Sequence, residues 1–261
     1  GATTQLISVN AGGNVSVTAF GSLDAPAVIA GGDADLFAMG STVVDVTSAN
    51  AWVFSDDDVE AWVSASEDAD VTSLGASLKT NMTVVGDAFA YTAGAITASI
   101  IDAAGEAWLT ALTQLADSSV HGEQGAFAMG GSDMTLVDVI SASGAASVIG
   151  GGNIASVTLD AFTDALIIAV GSVSTSSITG GESVAALTQG DLTGTSISAE
   201  TDVAGASYGT LQLSNVTAGG NVSLNSVGDL AANVQADGTL EAATFGNLDG
   251  DFLVEDDIIE L

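Results

Sequence analysis

TDALIIAVGSVSTSSITGG (163–181), ESVAALTQGDLTGTSISAE (182–200), TDVAGASYGTLQLSNVTAG (201–219), GNVSLNSVGDLAANVQAD (220–237) and GTLEAATFGNLDGDFLVED (238–256) are five versions of one unit. Four have 19 residues and one has 18, and the ninth place always holds glycine: Gly171, Gly190, Gly209, Gly228 and Gly246. Two places on stands an aliphatic residue, Val173, Leu192, Leu211, Leu230 or Leu248. A unit this short cannot bury its own apolar face and has to stack on its neighbours. It is also too short for two helices and a turn, which excludes the helical repeat families.

The same spacing continues in 144–162, with Gly152 and Ile154, and near the start, with Gly21 and Leu23, then Gly40 and Thr42. A further apolar column holds Val28, Leu159, Ile178, Ile197, Val216 and Leu253. Within a unit apolar and polar residues alternate, as in Asn14-Val15-Ser16-Val17 and Asn221-Val222-Ser223-Leu224, and a period of two belongs to strands. Val, Ile, Thr and Ser fill the runs, while Gly, Asn and Asp punctuate them. The expected fold is all-β: one chain wound as a single-stranded parallel β-helix (β-solenoid), about 13 coils of ~19 residues stacked about 4.8 Å apart. Each coil has two or three short strands, and residues 1–261 form a single elongated domain.

The segment GNVSVTAFGSL (13–23) recurs as GNVSLNSVGDL (220–230). This pattern resembles the β-helix repeats of filamentous haemagglutinin-type bacterial surface proteins. The resemblance covers the repeat lattice, most clearly 13–50 and 144–256. It implies a right-handed coil, an extracellular or cell-surface location, and an adhesive or structural role.

Charge narrows the partners. Acidic residues number 33 against a single Lys, Lys79, and the net charge is -32. Nucleic acid and anionic membranes need a basic footprint, so neither is an expected partner. Self-repulsion has to be offset from outside by Ca²⁺, salt or a cationic partner. There is no cysteine, hence neither disulfide nor thiolate metal site. No apolar run reaches the roughly 18 residues of a membrane span, and no basic leader opens the sequence.

Residues 51–143 keep the spacing only if AWVFSDDDVEAWVSASE (51–67) is a shortened unit. They hold Trp52, Trp62, Trp108, Lys79, Tyr91 and His121, and they are either a lateral bulge with a binding role or drift in an old repeat. ITASIIDAAGEAWLTALTQL (96–115) has near-helical spacing in isolation but fits the repeat, so strands are expected.

Hard cations require carboxylates and carbonyls. With the shortened unit, Asp68, Asp87 and Glu106 fall in one column as the first calcium candidate. The acidic turn Asp56-Asp57-Asp58 is the second. The third is the C-terminal run Asp249, Asp251, Glu255, Asp256 and Asp257. No EF-hand or nonapeptide calcium motif is present. An enzyme is not expected, because a lyase base would have to come from Lys79 or His121 alone. Threonine does not recur in a flat two-column ladder, and the four sequons, at Asn14, Asn81, Asn215 and Asn221, decide little. Because the sequence opens and closes mid-coil, head-to-tail association into a fibre is expected, with surface glycans or another surface protein as further partners. The alternative is a rod-like binding module with the Trp-bearing middle as its ligand patch; a carbohydrate-active enzyme is more remote.

Overall fold

The computed structural model describes residues 3–6, 8–255 and 258–260. They form a parallel β-solenoid of about 13 turns of ~19 residues. No helix occurs among them, and none therefore is long and apolar enough to cross a membrane. The contacts gather into two compact units, Gly1–Met129 and Gly130–Leu261.

In the N-terminal unit each turn gives a short strand to one sheet and a longer strand to the other. The short strands are Val15–Ala19, Ala34–Ala38, Ala51–Ser55, Ala69–Ser73, Ala88–Thr92 and Glu106–Ala111, each paired in parallel with the next. Ser22–Ala30, Thr42–Ser48, Val59–Ala65 and Ser77–Val84 build the other sheet. The C-terminal unit repeats the plan with Ala146–Gly150, Ala165–Ala169, Val184–Thr188, Val203–Ser207 and Val222–Ser226 against Leu192–Ala199, Leu211–Ala218 and Leu230–Ala236.

Period two sends alternate residues inward. Val173, Leu192, Leu211 and Leu230, the column two places after glycine, are fully buried, as are Leu78, Ile96 and Leu115. Each contributes about 1.5–3 kcal/mol of burial. The facing strands bring Ala34, Ala38, Ala51, Ala69, Ala88 and Ala107 inward, so the two sheets approach closely. The interior is too thin for rings, and the largest fully buried side chains are Leu, Ile and Met.

One member of the aliphatic column breaks the rule. Thr42 lies between Leu23 and Val59, 1% exposed, and its Oγ1 has no hydrogen-bond partner. A buried hydroxyl without a partner costs about 1–3 kcal/mol. Thr42→Val is therefore expected to raise stability by about 1 kcal/mol in urea unfolding; a loss would mean that the hydroxyl is satisfied in solution.

A second column bends the longer strands. Ala98, Asp117, Leu136, Ser156, Thr175 and Gly194 all have positive φ, between 45° and 62°. The bend splits strands into pairs such as Ala95–Thr97 with Ile100–Ala103, giving three short strands per turn. Buried serines satisfy the backbone that the bend releases. Ser99 Oγ accepts the Thr80 N–H, Ser118 Oγ accepts the Ser99 N–H, and Ser176 Oγ accepts the Val157 N–H.

Residues 96–115 are strands, not helix. Residues 51–143 alternate strand and short turn. The shortening is shared, with 17 residues from Asp33 to Asn50 and 18 from Asn50 to Asp68. Leu253 is a correction: Phe252 pairs with Val234 in the inward column while Leu253 is 68% exposed. Leu248 and Phe252 are four places apart, as Leu230 and Val234 are, where Leu192–Ile197 and Leu211–Val216 are five apart, so the inward place falls one residue before Leu253.

Candidate functional site

The acidic residues are best approached from the corners. Asp68, Asp87 and Glu106 do stack in consecutive turns. Asp68 Oδ1 accepts the Asp87 N–H (2.9 Å), and Asp87 Oδ1 accepts the Glu106 N–H (2.8 Å). The chain of bonds starts earlier, with Asn14 Oδ1 accepting the Asp33 N–H and Asn50 Oδ1 accepting the Asp68 N–H. An opposite corner in the C-terminal unit does the same. Asp133, Asn153 and Asp191 each accept through Oδ1 from the next turn, at 2.7, 3.0 and 2.7 Å. These side chains serve the backbone: they cap a corner N–H of the next turn, a part that Ser172 Oγ plays for the Asp191 N–H.

This also accounts for the glycine column. The capping oxygen passes over the next turn's Cα, where a Cβ on Gly86, Gly105, Gly171 or Gly209 would stand only 2.2, 2.1, 2.5 or 2.2 Å from it. Gly followed by Asp or Asn is thus one device. Sequence reasoning saw its glycine and missed the partner.

The other calcium candidates are dispersed. Asp58 Oδ1 accepts the Ser77 N–H (2.8 Å) and Asp57 Oδ2 the Ser41 hydroxyl (3.1 Å), while Asp56 is exposed. Asp249, Asp251 and Glu255 are exposed; Asp256 and Asp257 lie outside the described residues. Among the described residues, no group of three or more acidic or histidine side chains could hold a metal ion.

A different surface stands out. The outward positions of the short strands in the N-terminal unit carry large rings in two adjoining columns. One column runs Asp35, Trp52, Asp70, Phe89, Trp108, and the other Phe37, Phe54, Thr72, Tyr91, Thr110. Phe37 and Phe54 stack with centroids 5.3 Å apart, Trp52 stacks on Phe54 at 5.8 Å, and Phe89 on Trp108 at 6.1 Å. Phe127 continues the row at 4.6 Å from Trp108. Trp52 and Phe89 are each 40% exposed. Rings excluded from the thin interior are thus gathered on one flat face.

Asp70 sits between Trp52 and Phe89 in register. Burial pushes its carboxyl above the usual carboxylate range, and the bond from Thr72 Oγ1 (2.8 Å) offsets only part of this. A raised carboxyl binds protons more readily folded than unfolded, so its contribution to stability falls as pH rises through the folded value. Asp70→Asn is expected to melt higher than the parent at neutral pH, the difference closing as pH falls through the carboxylate range. Paired melting curves across that range check it.

Trp62 lies apart, on the other sheet, so the three tryptophans are not one patch. There Lys79 Nζ pairs with Glu60 Oε1 at 2.8 Å and lies 5.9 Å from the Trp62 ring centroid. His121 Nδ1 and Asp102 Oδ1 are 3.0 Å apart.

The C-terminal unit has two further surfaces. Exposed Val170, Leu187, Tyr208, Val227 and Phe245 line an apolar groove of about 900 Å³. On its other sheet Thr158, Ser177, Ser196 and Asn215 align beside Thr179, Ser198 and Thr217. That mixed array escapes a search for repeated threonine. The Asn14 and Asn221 amides belong to corner bonds, whereas Asn81 and Asn215 are exposed.

No family model, curated protein or solved structure matches the chain. Its geometry is what bears on function.

Proposed function

We propose that the chain is a non-catalytic adhesive module of an extracellular structural assembly, and that the aromatic face of the N-terminal unit is its contact surface for glycans. The observation that carries this is the exposure of Trp52, Phe89 and Trp108 in one row on a flat sheet. Contiguous exposed apolar surface marks interaction sites. A pyranose ring has an apolar C–H face and a hydroxyl rim, which suits rings bordered by Asp70, Thr72 and Thr110. Lys79 and His121, the side chains a lyase would call on, each face a carboxylate already. Kinship with filamentous haemagglutinin-type adhesins belongs to the same proposal.

Co-sedimentation with insoluble polysaccharides tests the reading. The parent should bind; Trp52→Ala with Trp108→Ala, assayed at a temperature where its circular dichroism shows it folded, should lose at least ten-fold in affinity, and Trp62→Ala should not. Equal binding by all three would overturn it.

A second reading, a subunit of a self-associating fibre, is favoured by the groove around Tyr208 and Phe245. Filaments in electron micrographs that disappear with Tyr208→Ser and Phe245→Ser would support it, and dispersed parent molecules at high concentration would sink it.

A further inference from the structure

We infer that the aromatic face selects a cationic glycan, a polymer of amino sugars with free, protonated amines, over its neutral or acetylated counterparts. This rests on the glycan reading above and adds the charge of the ligand.

The molecule contains its own template. In Glu60-Ala61-Trp62 the glutamate and tryptophan lie on the same side of one strand, and the Lys79 ammonium sits against both, 2.8 Å from Glu60 Oε1 and 5.9 Å from the ring centroid. An ammonium over an aromatic face beside a carboxylate gains from the ring quadrupole and the ion pair together. The same tripeptide recurs as Glu106-Ala107-Trp108 on the aromatic face, where Glu106 Oε2 accepts the Trp108 Nε1–H at 3.1 Å. No lysine faces this second copy, because Lys79 is the only Lys or Arg in the chain.

The rest of the column repeats the chemistry. Asp35, Trp52, Asp70 and Phe89 occupy equivalent positions in four consecutive turns, an acid alternating with a ring. Turns about 4.8 Å apart put the two carboxylates on either side of Trp52, about 10 Å from each other. An ammonium over that ring is flanked by both. Burial has already taken part of the water from Asp70, and a cationic partner recovers that cost where a neutral one adds to it. Flat stacked rings suit a sugar ring carrying the amine, which presents an apolar face and a charge at once.

The test compares glucosamine oligomers with N-acetylated oligomers of the same length and with cello-oligomers. Titration calorimetry runs at mildly acidic pH, where the amine is protonated, in about 0.15 M salt to screen general attraction to a polyanion. The free-amine oligomer should bind at least ten-fold tighter than the acetylated one. Glu106→Gln and Asp70→Asn should each weaken it several-fold, while Asp138→Asn and Asp160→Asn, which remove the same charge elsewhere, should not. Equal affinity for both oligomers overturns selection of charge and leaves the adhesive reading standing. Binding of none of the three overturns the adhesive reading itself. Weakening by all four variants alike reduces the effect to net charge, and oligolysine bound as tightly, with sensitivity confined to Glu106 and Asp70, reassigns the face to a peptide; either result overturns the proposal.

Discussion

Gly209→Ala is expected to destabilise the protein by about 3 kcal/mol, and removal of Asp191 should recover part of that loss. Asp191 Oδ1 accepts the Thr210 N–H at 2.7 Å, and a Cβ on Gly209 would stand 2.2 Å from that oxygen. The carboxylate cannot keep its bond and clear the methyl group. The nearest remaining atoms, the Gly190 carbonyl carbon and oxygen, are 3.0 Å away, so Asp191→Ala removes the worst contact but not all of it. Asp191→Ala alone loses one bond to a charged acceptor at an exposed corner, about 1 kcal/mol. The double variant should then be less unstable than the sum of the two by about 1 kcal/mol or more, a coupling that a denaturant double-mutant cycle reads directly. Gly13→Ala is the control, since nothing lies within 4 Å of a Cβ there, and it should fall within about 0.5 kcal/mol of the parent. Strict additivity at 191 and 209 would mean that glycine is needed for its backbone alone.

The same pair explains what could be read from the sequence. A period of 19 with alternating residues leaves little besides a parallel coil, and the column through Leu192, Leu211 and Leu230 is buried as its spacing requires. The corners were half legible. Gly152-Asn153, Gly190-Asp191 and Gly228-Asp229 look like ordinary turn dipeptides, and only stacking turns each Asx side chain into a cap for the next turn. An isolated coil would leave the same oxygen in water, so acid abundance suggested solvation or calcium. The aromatic face was hidden for another reason. Binary patterning sends Trp52 and Phe89 inward because they are apolar, yet Ala51-Trp52-Val53-Phe54-Ser55 has the small residues at the inward places. The interior, set by alanines such as Ala51 and Ala69, cannot admit rings. Leu253 failed by one residue because the 19-residue frame counts five places on from Leu248 where the coil uses four, an omission inside its own unit.

Raising NaCl from about 0.01 to 1 M is expected to raise the melting temperature by about 10 °C or more. With a net charge of -32 the folded state holds its carboxylates closer together than the unfolded chain does. Equivalent acids in adjacent turns stand about 5 Å apart, where each pair in water repels by about 0.8 kcal/mol. The Asp68–Asp87 and Asp87–Glu106 pairs, with the longer-range repulsion among all 33 acidic residues, amount to several kcal/mol, and about 1 kcal/mol moves the midpoint of a chain this size by 2–4 °C. The corner bonds hold Asp68, Asp87 and Asp191 in place but leave their charge intact, so ions must still screen it. Two forms of screening give different curves. Specific calcium sites, as proposed from the acidic columns, predict a rise at millimolar Ca²⁺ beyond that of NaCl at equal ionic strength, reversed by EDTA. Diffuse screening predicts curves that coincide. Coincidence is expected, because Asp68 and Asp87 each give one oxygen, Oδ1, to a backbone N–H, and no group of three or more acidic or histidine side chains among the described residues could hold a metal ion. A separate calcium step would restore the specific sites and point to the carboxylate oxygens that the corner bonds leave open.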